Sequence, residues 1–318
     1  MCALNVHQLR TECLDPWSTK VFTLRDLENW RFPGFFLGVM GSPIAHSMSP
    51  QMHRAALNFL SIEDQQFKDW RYIKLQVEAE GLLAALPLAY ARGFQGFNLT
   101  SPLKAIACSC VQKMTDVAHK IGAINTLIRT ATGFMGDNTD AQGLDWALTQ
   151  TIGENWYHRP IVVWGAGGAA RAAVYLAIQR SVRCITVVNR SLERLECLHQ
   201  DFEPLLPSGT IWNCHLAPHF SSAFKPGTLH IQCIPLSLDS DHTHVIPMDA
   251  LHPDDVIYDM AYAQDQTPLV QLARKRGHIA YDGRSMLAAQ GTFSLKAWTG
   301  RLVPISILLN AIYPLSPL

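Results

Sequence analysis

The chain carries little charge and no excess of either sign. Only 16% of its 318 residues are Asp, Glu, Lys or Arg, with 26 basic side chains against 26 acidic ones. Soluble domains usually reach about 25%, so nothing here marks a nucleic-acid or anionic-membrane partner. Long uninterrupted apolar runs are also missing. The charge-free stretch 32–53 is broken by Pro33, Pro43 and Pro50, and the tail after Arg301 by Pro304, Asn310, Pro314 and Pro317. Neither predicts a membrane-spanning helix. The first seventeen residues lack the basic patch, apolar run and cleavage site of a secretory leader, and their acidic residues argue against a transit peptide; a cytoplasmic location is expected. The eight cysteines are scattered, and the only close pair, Cys108 and Cys110, has one residue between its members, too few for most zinc knuckles. Reduced and mostly buried thiols, and no metal, are expected. Repeats and low-complexity segments are absent, and 48% hydrophobic residues exclude disorder as the general state.

What the chain does have is alternation. Apolar runs bounded by turn residues recur as FFLGVMG, FQGFNLT, PIVVWGAGG, CITVVNR, LHIQCIP and DVIYDMAY. Helix-length stretches at 77–92, 140–150, 168–180 and 266–276 separate them. This rhythm predicts parallel sheets covered by helices on both faces. The length suits about two domains, the second beginning between 141 and 160. Residues 1–34 have no clear periodicity and read as an extension ahead of the first core strand.

The segment Ile161-Val162-Val163-Trp164-Gly165-Ala166-Gly167-Gly168-Ala169 turns a buried strand sharply into an alanine-rich helix. Glycines there let the backbone approach a pyrophosphate, which the free N–H groups and dipole of the helix start favour. The spacing departs from G-x-G-x-x-G, so a tight turn without a ligand is the competing reading. The next strand ends in Asn189-Arg190-Ser191-Leu192-Glu193-Arg194. An acidic residue there would select a free ribose 2′-hydroxyl, whereas Arg190, Ser191 and Arg194 suit a 2′-phosphate, hence NADP rather than NAD. Simple solvation of a helix start is the alternative for the two arginines.

Polar residues cluster in the first half. Ser47 and Ser49 precede Pro50 at a strand-to-helix junction, where hydroxyls cap a helix or hold a ligand carboxylate; from these residues alone, capping is favoured. Lys104 in NLTSPLK lies one turn into a helix beginning at a proline, beyond the carboxyl end of a strand, where ligands of open parallel sheets bind. A lysine there is electrostatically disfavoured, which suits proton transfer, although a solvated surface lysine is the plainer reading. Asp140, in GDNTDAQG, would cap the helix into the second domain or face the cleft between domains.

In order and spacing, GSPIAHSMSPQMH, NLTSPLK, GAINT, GDNTDAQG, GAGGAARA, NRS, YDMAYAQDQTPL and GRSMLAAQGTFSLKAWTG resemble the shikimate dehydrogenase family, including its quinate/shikimate relatives, over about residues 36–300. The resemblance implies an α/β protein of two domains. A substrate domain of residues 35–140 plus 284–318 would face, across a cleft, a doubly wound Rossmann-type NADP-binding domain of residues 141–283. It implies that Lys104 and Asp140 are catalytic, and that Ser47, Ser49, Thr100, Asn125, Tyr262 and Gln290 bind a small-molecule substrate. Gly165, Ala166, Gly167, Gly168 and Ala169 would hold the pyrophosphate, Asn189, Arg190, Ser191 and Arg194 the adenosine phosphate, and Met260 and Gly283 the nicotinamide. The implied activity is reversible NADP-dependent reduction of 3-dehydroshikimate to shikimate in aromatic amino-acid biosynthesis, by a monomer or homodimer, with no nucleic-acid or membrane partner. A quinate/shikimate enzyme with broader substrate or NAD use, and a paralogue that only binds a metabolite, are the competing readings. Two departures stand out. Gln232-Cys233-Ile234-Pro235-Leu236-Ser237-Leu238 replaces a stretch close to N-x-T-P-x-G-M, and Arg54 replaces an asparagine.

Overall fold

A computed structural model of the chain describes residues 16–217, 224–235 and 245–313. The first sheet holds β1 (Val21–Phe22), β2 (Phe35–Gly41), β3 (Trp70–Gln76), β4 (Gly96–Leu99), β5 (Lys113–Met114), β6 (Thr126–Thr130) and β7 (Gly133–Asp137), in the order β1-β3-β2-β4-β6-β7-β5. Its helices are α1 (Pro16–Thr19), α2 (Leu24–Glu28), α3 (Ser49–Glu63), α4 (Leu82–Ala91), α5 (Leu103–Cys110) and α6 (Asp116–Ile121). The sheet is not wholly parallel as the alternation suggested, because β6 runs antiparallel to both β4 and β7. Only Ala131 and Thr132 join β6 to β7, and a parallel crossover needs a dozen or more residues.

Next, α7 (Asp140–Ile152) leads into a second sheet of β8 (Ile161–Trp164), β9 (Cys184–Asn189), β10 (Ile211–Leu216), β11 (Leu229–Gln232), β12 (Val256–Asp259) and β13 (Ile279–Tyr281). Every pairing is parallel, in the order β10-β9-β8-β11-β12-β13. Counted from β8 this is 3-2-1-4-5-6, the doubly wound dinucleotide arrangement. Four-residue apolar strands such as Ile161–Trp164 are buried throughout, which is why they read as continuous runs and not as alternation. Here α8 (Gly168–Gln179) and α9 (Leu192–Phe202) cover one face and α10 (Pro268–Lys275) the other.

From Gly283 the chain returns to the first sheet through α11 (Arg284–Thr299) and α12 (Ile305–Ile312). Leu287, Ala288 and Leu295 of α11 and Leu308 of α12 join Leu37, Val39, Met52 and Leu57 in one core.

Part of the segment expected as an extension is built into this sheet. Val21–Phe22 forms a parallel edge strand on β3, and α2 opens with a capping box in which Thr23 and Asp26 satisfy each other's backbone N–H groups. Trp30 meets Phe36 edge-on with ring centres 4.9 Å apart. A two-residue strand is too short to show periodicity. Residues 1–15 and the tail from 314 lie outside the described residues. Among the described residues no helix is long and apolar enough to cross a membrane, and no metal-holding cluster occurs. The six described cysteines are free thiols, but only Cys233 is buried, while Cys197 and Cys214 are exposed. The expectation of mostly buried thiols does not hold for these six, because the strand and helix carrying Cys214 and Cys197 turn those positions outward.

Candidate active site

The loop after β4 and the start of α7 bring two charges together. Pro102 sits at the N-cap of α5, and Lys104 follows in its first turn. Its Nζ lies 2.6 Å from Asp140 Oδ2, with the lysine side chain 19% exposed and the aspartate 4%. Asp140 is the first residue of α7, behind Thr139 at the N-cap, so it is not the helix cap. Its second oxygen, Oδ1, accepts from Asn125 Nδ2 at 2.8 Å, and its backbone N–H donates to Asn138 Oδ1. Both carboxylate oxygens are therefore occupied, at a helix end whose dipole favours negative charge.

A buried polar chain surrounds the pair. Asn125 Nδ2 also reaches Gln290 Oε1 at 3.3 Å, while its Oδ1 accepts from the Thr139 N–H and the Thr126 hydroxyl. Ser294 Oγ stands 2.8 Å from the Thr126 hydroxyl and accepts from Asn98 Nδ2. Asn98 Oδ1 in turn accepts from Tyr72 Oη at 2.8 Å. Asn98, Thr139 and Ser294 were missed by motif reading. The available signal was that Gln290 and Ser294 are four apart and so share one face of α11.

The two serines lie at the far end of this chain. Neither caps α3, whose N-cap is Met48 without a side-chain bond. Instead Ser47 Oγ accepts the Ser49 N–H at 3.3 Å. Ser49 neighbours the Tyr72 hydroxyl and Ser47 that of Tyr262; burial pushes both phenols up, and the serines' hydrogen bonds oppose it. Thr100 occupies the space left open by Gly41, where a Cβ would lie 2.3 Å from its methyl carbon. Lys104, Asp140, Asn125 and Gln290 thus form one bonded group. Ser47, Ser49 and Tyr262 form a second, linked to it through Tyr72 and Asn98.

The glycine-rich turn abuts the first group. Gly165 has φ 116°, a left-handed value suited to glycine, and donates its N–H to Val188 O. Gly167 is the N-cap of α8 with no side-chain cap and open space where a Cβ would point. At Gly168 a Cβ would lie 2.8 Å from Lys104 Cβ, so only glycine lets the helix start this close to the lysine. Ala166 and Ala169 pack partly buried against the core below.

Beyond β9, Asn189 Nδ2 donates to Ser191 O, and Ser191 Oγ caps α9 by accepting the Arg194 N–H. Arg190 and Arg194 are exposed. Uncapped N–H groups, open space at Gly167 and two outward guanidinium groups fit a dinucleotide bearing an extra phosphate. At the opposite wall Met260 Sδ lies 3.2 Å from Cys233 Sγ, and Gly283 passes close beneath Met260 O, where a Cβ would be 2.3 Å away. In the altered stretch Gln232 closes on Ile234, its Nε2 donating to Ile234 O at 3.0 Å. Residues 236–238 of that stretch lie outside the described residues.

Together these features define a two-domain α/β protein with a dinucleotide-type domain and a lysine–carboxylate pair where that domain meets its neighbour. The family profile described as "Shikimate dehydrogenase substrate binding domain" matches residues 39–127. The shikimate dehydrogenase (NADP(+)) of Gloeothece citriformis (strain PCC 7424) is 33% identical over 279 residues, covering 86% of this chain and 93% of its own. Among solved structures, shikimate dehydrogenase from Aquifex aeolicus superposes with a TM-score of 0.75 at 26% identity, covering 88% of this chain and 97% of its own. Shikimate 5-dehydrogenase from Thermus thermophilus, in complex with NADP(H) and shikimate, gives 0.71 at 28%, covering 87% and 98%. The chain belongs to the shikimate dehydrogenase family.

Proposed function

We propose that the protein is an NADP-dependent shikimate dehydrogenase, reversibly reducing 3-dehydroshikimate to shikimate. The observation that carries this reading is the Lys104–Asp140 pair, 2.6 Å apart and packed against Gly168 of the dinucleotide turn. Residues 35–140 with 284–318 are assigned to substrate and 141–283 to NADP. Gly165 to Ala169 would hold the pyrophosphate, Asn189 to Arg194 the adenosine phosphate, and Met260 and Gly283 the nicotinamide edge. When bound, NADPH supplies the hydride that reaches the carbonyl carbon.

This chain's residues handle the proton. Lys104 Nζ donates to the carbonyl oxygen as negative charge develops there, leaving a C–H and an O–H where the C=O double bond was. Asp140 Oδ2 keeps Nζ aimed, and Asn125, itself held by Thr139 and Gln290, fixes the other oxygen of Asp140. Ser47, Ser49 and Tyr262 take the ring carboxylate, and Thr100, Asn125 and Gln290 the ring hydroxyls. The same reading carries a cytoplasmic location and a monomer or homodimer, tested by fractionation and light scattering. The decisive assay pairs shikimate and quinate with NADP and NAD. NADP-linked oxidation of shikimate should dominate, and the absence of turnover with every pair would overturn the assignment.

A further inference from the structure

Strand β3 carries a lysine that the reaction described above leaves unused. Side chains alternate across a strand, so Tyr72 and Lys74 share a face, opposite Leu37 and Val39 of β2. Leu37, Val39 and Tyr72 belong to the core beneath α3. Lys74 is only 8% exposed. Its Nζ donates to Ala45 O at 2.7 Å, and burial pushes the ammonium down with no carboxylate acting on it among the described residues. An ammonium this buried normally has a counter-charge.

Its position says where one could come from. Ala45 lies two residues before Ser47, in the turn between β2 and α3, and Ser47 donates its N–H to Ile44 O of the same turn. One step back along the same strand face, the Tyr72 hydroxyl stands by Ser49. The face of β3 therefore sets a phenol by one serine and an ammonium under the turn that presents the other.

We propose that Lys74 is the counter-charge for the carboxylate of the substrate held by Ser47 and Ser49, and that it sets the preference of the site for anionic ring acids over neutral analogues. This rests on the function proposed above. The ammonium need not leave Ala45 O, since one N–H is spent there and two remain.

Lys74→Met keeps the aliphatic stem and removes the charge; Lys74→Gln keeps a donor for Ala45 O without charge; Lys74→Arg keeps the charge. KM and calorimetric affinity are measured for shikimate and for its neutral methyl ester. Loss of a charge-assisted contact should weaken shikimate at least about tenfold in the Met and Gln variants. The ester should change less than about twofold, kcat should hold, and Arg should restore most of the difference. Equal weakening of acid and ester would mean that Lys74 only shapes the turn, and wild-type behaviour of Lys74→Gln would mean that charge is irrelevant; either result overturns the proposal. If the wild-type protein fails to oxidise shikimate, the proposed function falls, while the acid-to-ester affinity ratio still decides the role of Lys74.

Discussion

At the scale of single residues, Lys104 and Asp140 come from positions 36 apart and meet at hydrogen-bonding distance. If Lys104 is the proton donor and Asp140 its orienting partner, Lys104→Ala and Asp140→Asn should each lower kcat by about 10²–10⁴-fold. NADPH affinity, measured by fluorescence titration, should stay within a few-fold; unchanged turnover would remove both from the mechanism. His53 gives a second expectation. It is fully buried, stacks on Tyr72 with ring centres 4.2 Å apart, and has no hydrogen-bond partner for either ring nitrogen among the described residues. Burial pushes its pKa down to about 3. The unfolded chain protonates this residue near pH 6.5, so its contribution to stability is intact above that value and lost as pH falls from about 6.5 through about 3. The slope should approach about 1.4 kcal/mol per pH unit. His53→Phe keeps a ring against Tyr72 and should flatten that part of the urea-midpoint profile; an unchanged slope would assign it to other groups. Lys104 and Asp140 stood out in turn-bounded motifs, whereas Ser47 and Ser49 read as helix caps from their residues alone and gained a ligand role only through the family resemblance. Asn98, Ser294 and Lys74 were not legible, since one polar residue inside a strand or helix reads as a solvent-facing position until packing shows which face is buried.

At the scale of elements, the start of α8 binds two functions into one piece of backbone. Gly167 faces open space, so Gly167→Ala costs the empty fold nothing sterically, and its backbone angles suit alanine. Its Cβ would project into the open space at the start of α8. The expected outcome is an unchanged melting temperature with a KM for NADP raised at least about tenfold, an amount that about 1.4 kcal/mol supplies. Gly168→Ala meets Lys104 Cβ instead and should lower kcat as well as cofactor affinity. A variant at 168 that altered KM for NADP alone would show that the helix start and the lysine are not coupled. The strands that frame this turn were readable because buried parallel strands are continuous apolar runs. The β6–β7 hairpin and the edge strand β1 were not, because a hairpin reversal depends on connection length and a two-residue strand owes its existence to partners distant in sequence.

At the scale of the whole molecule, a chain with balanced and sparse charge spends several of its ion pairs between elements. The 3-2-1-4-5-6 order of the second sheet was foreshadowed by the glycine turn, but how the two domains are held against each other was not, since those contacts join residues with no shared motif. Arg180 forks onto Asp145, tying α8 to α7. Arg171 reaches further, from α8 across to the first domain, where its Nε donates to Ile121 O at 2.6 Å, at the carbonyl end of α6. Its guanidinium also pairs with Asp201 and lies over the Phe202 ring, which holds it extended toward α6. A cation meeting the negative end of a helix dipole is favourable, and a hydrogen bond from a charged donor contributes about 1.5–3 kcal/mol. If that bond exists only while the domains are apposed, removing it shifts the balance toward a wider cleft by about 10- to 100-fold. Arg171→Met retains the packing of the stem and removes the bond. It should lower kcat/KM for the substrate by about that factor and increase the radius of gyration measured by small-angle scattering, with saturating cofactor and substrate together narrowing the difference. A drop in melting temperature with unchanged scattering and unchanged kcat/KM would reduce Arg171 to a local brace of α6.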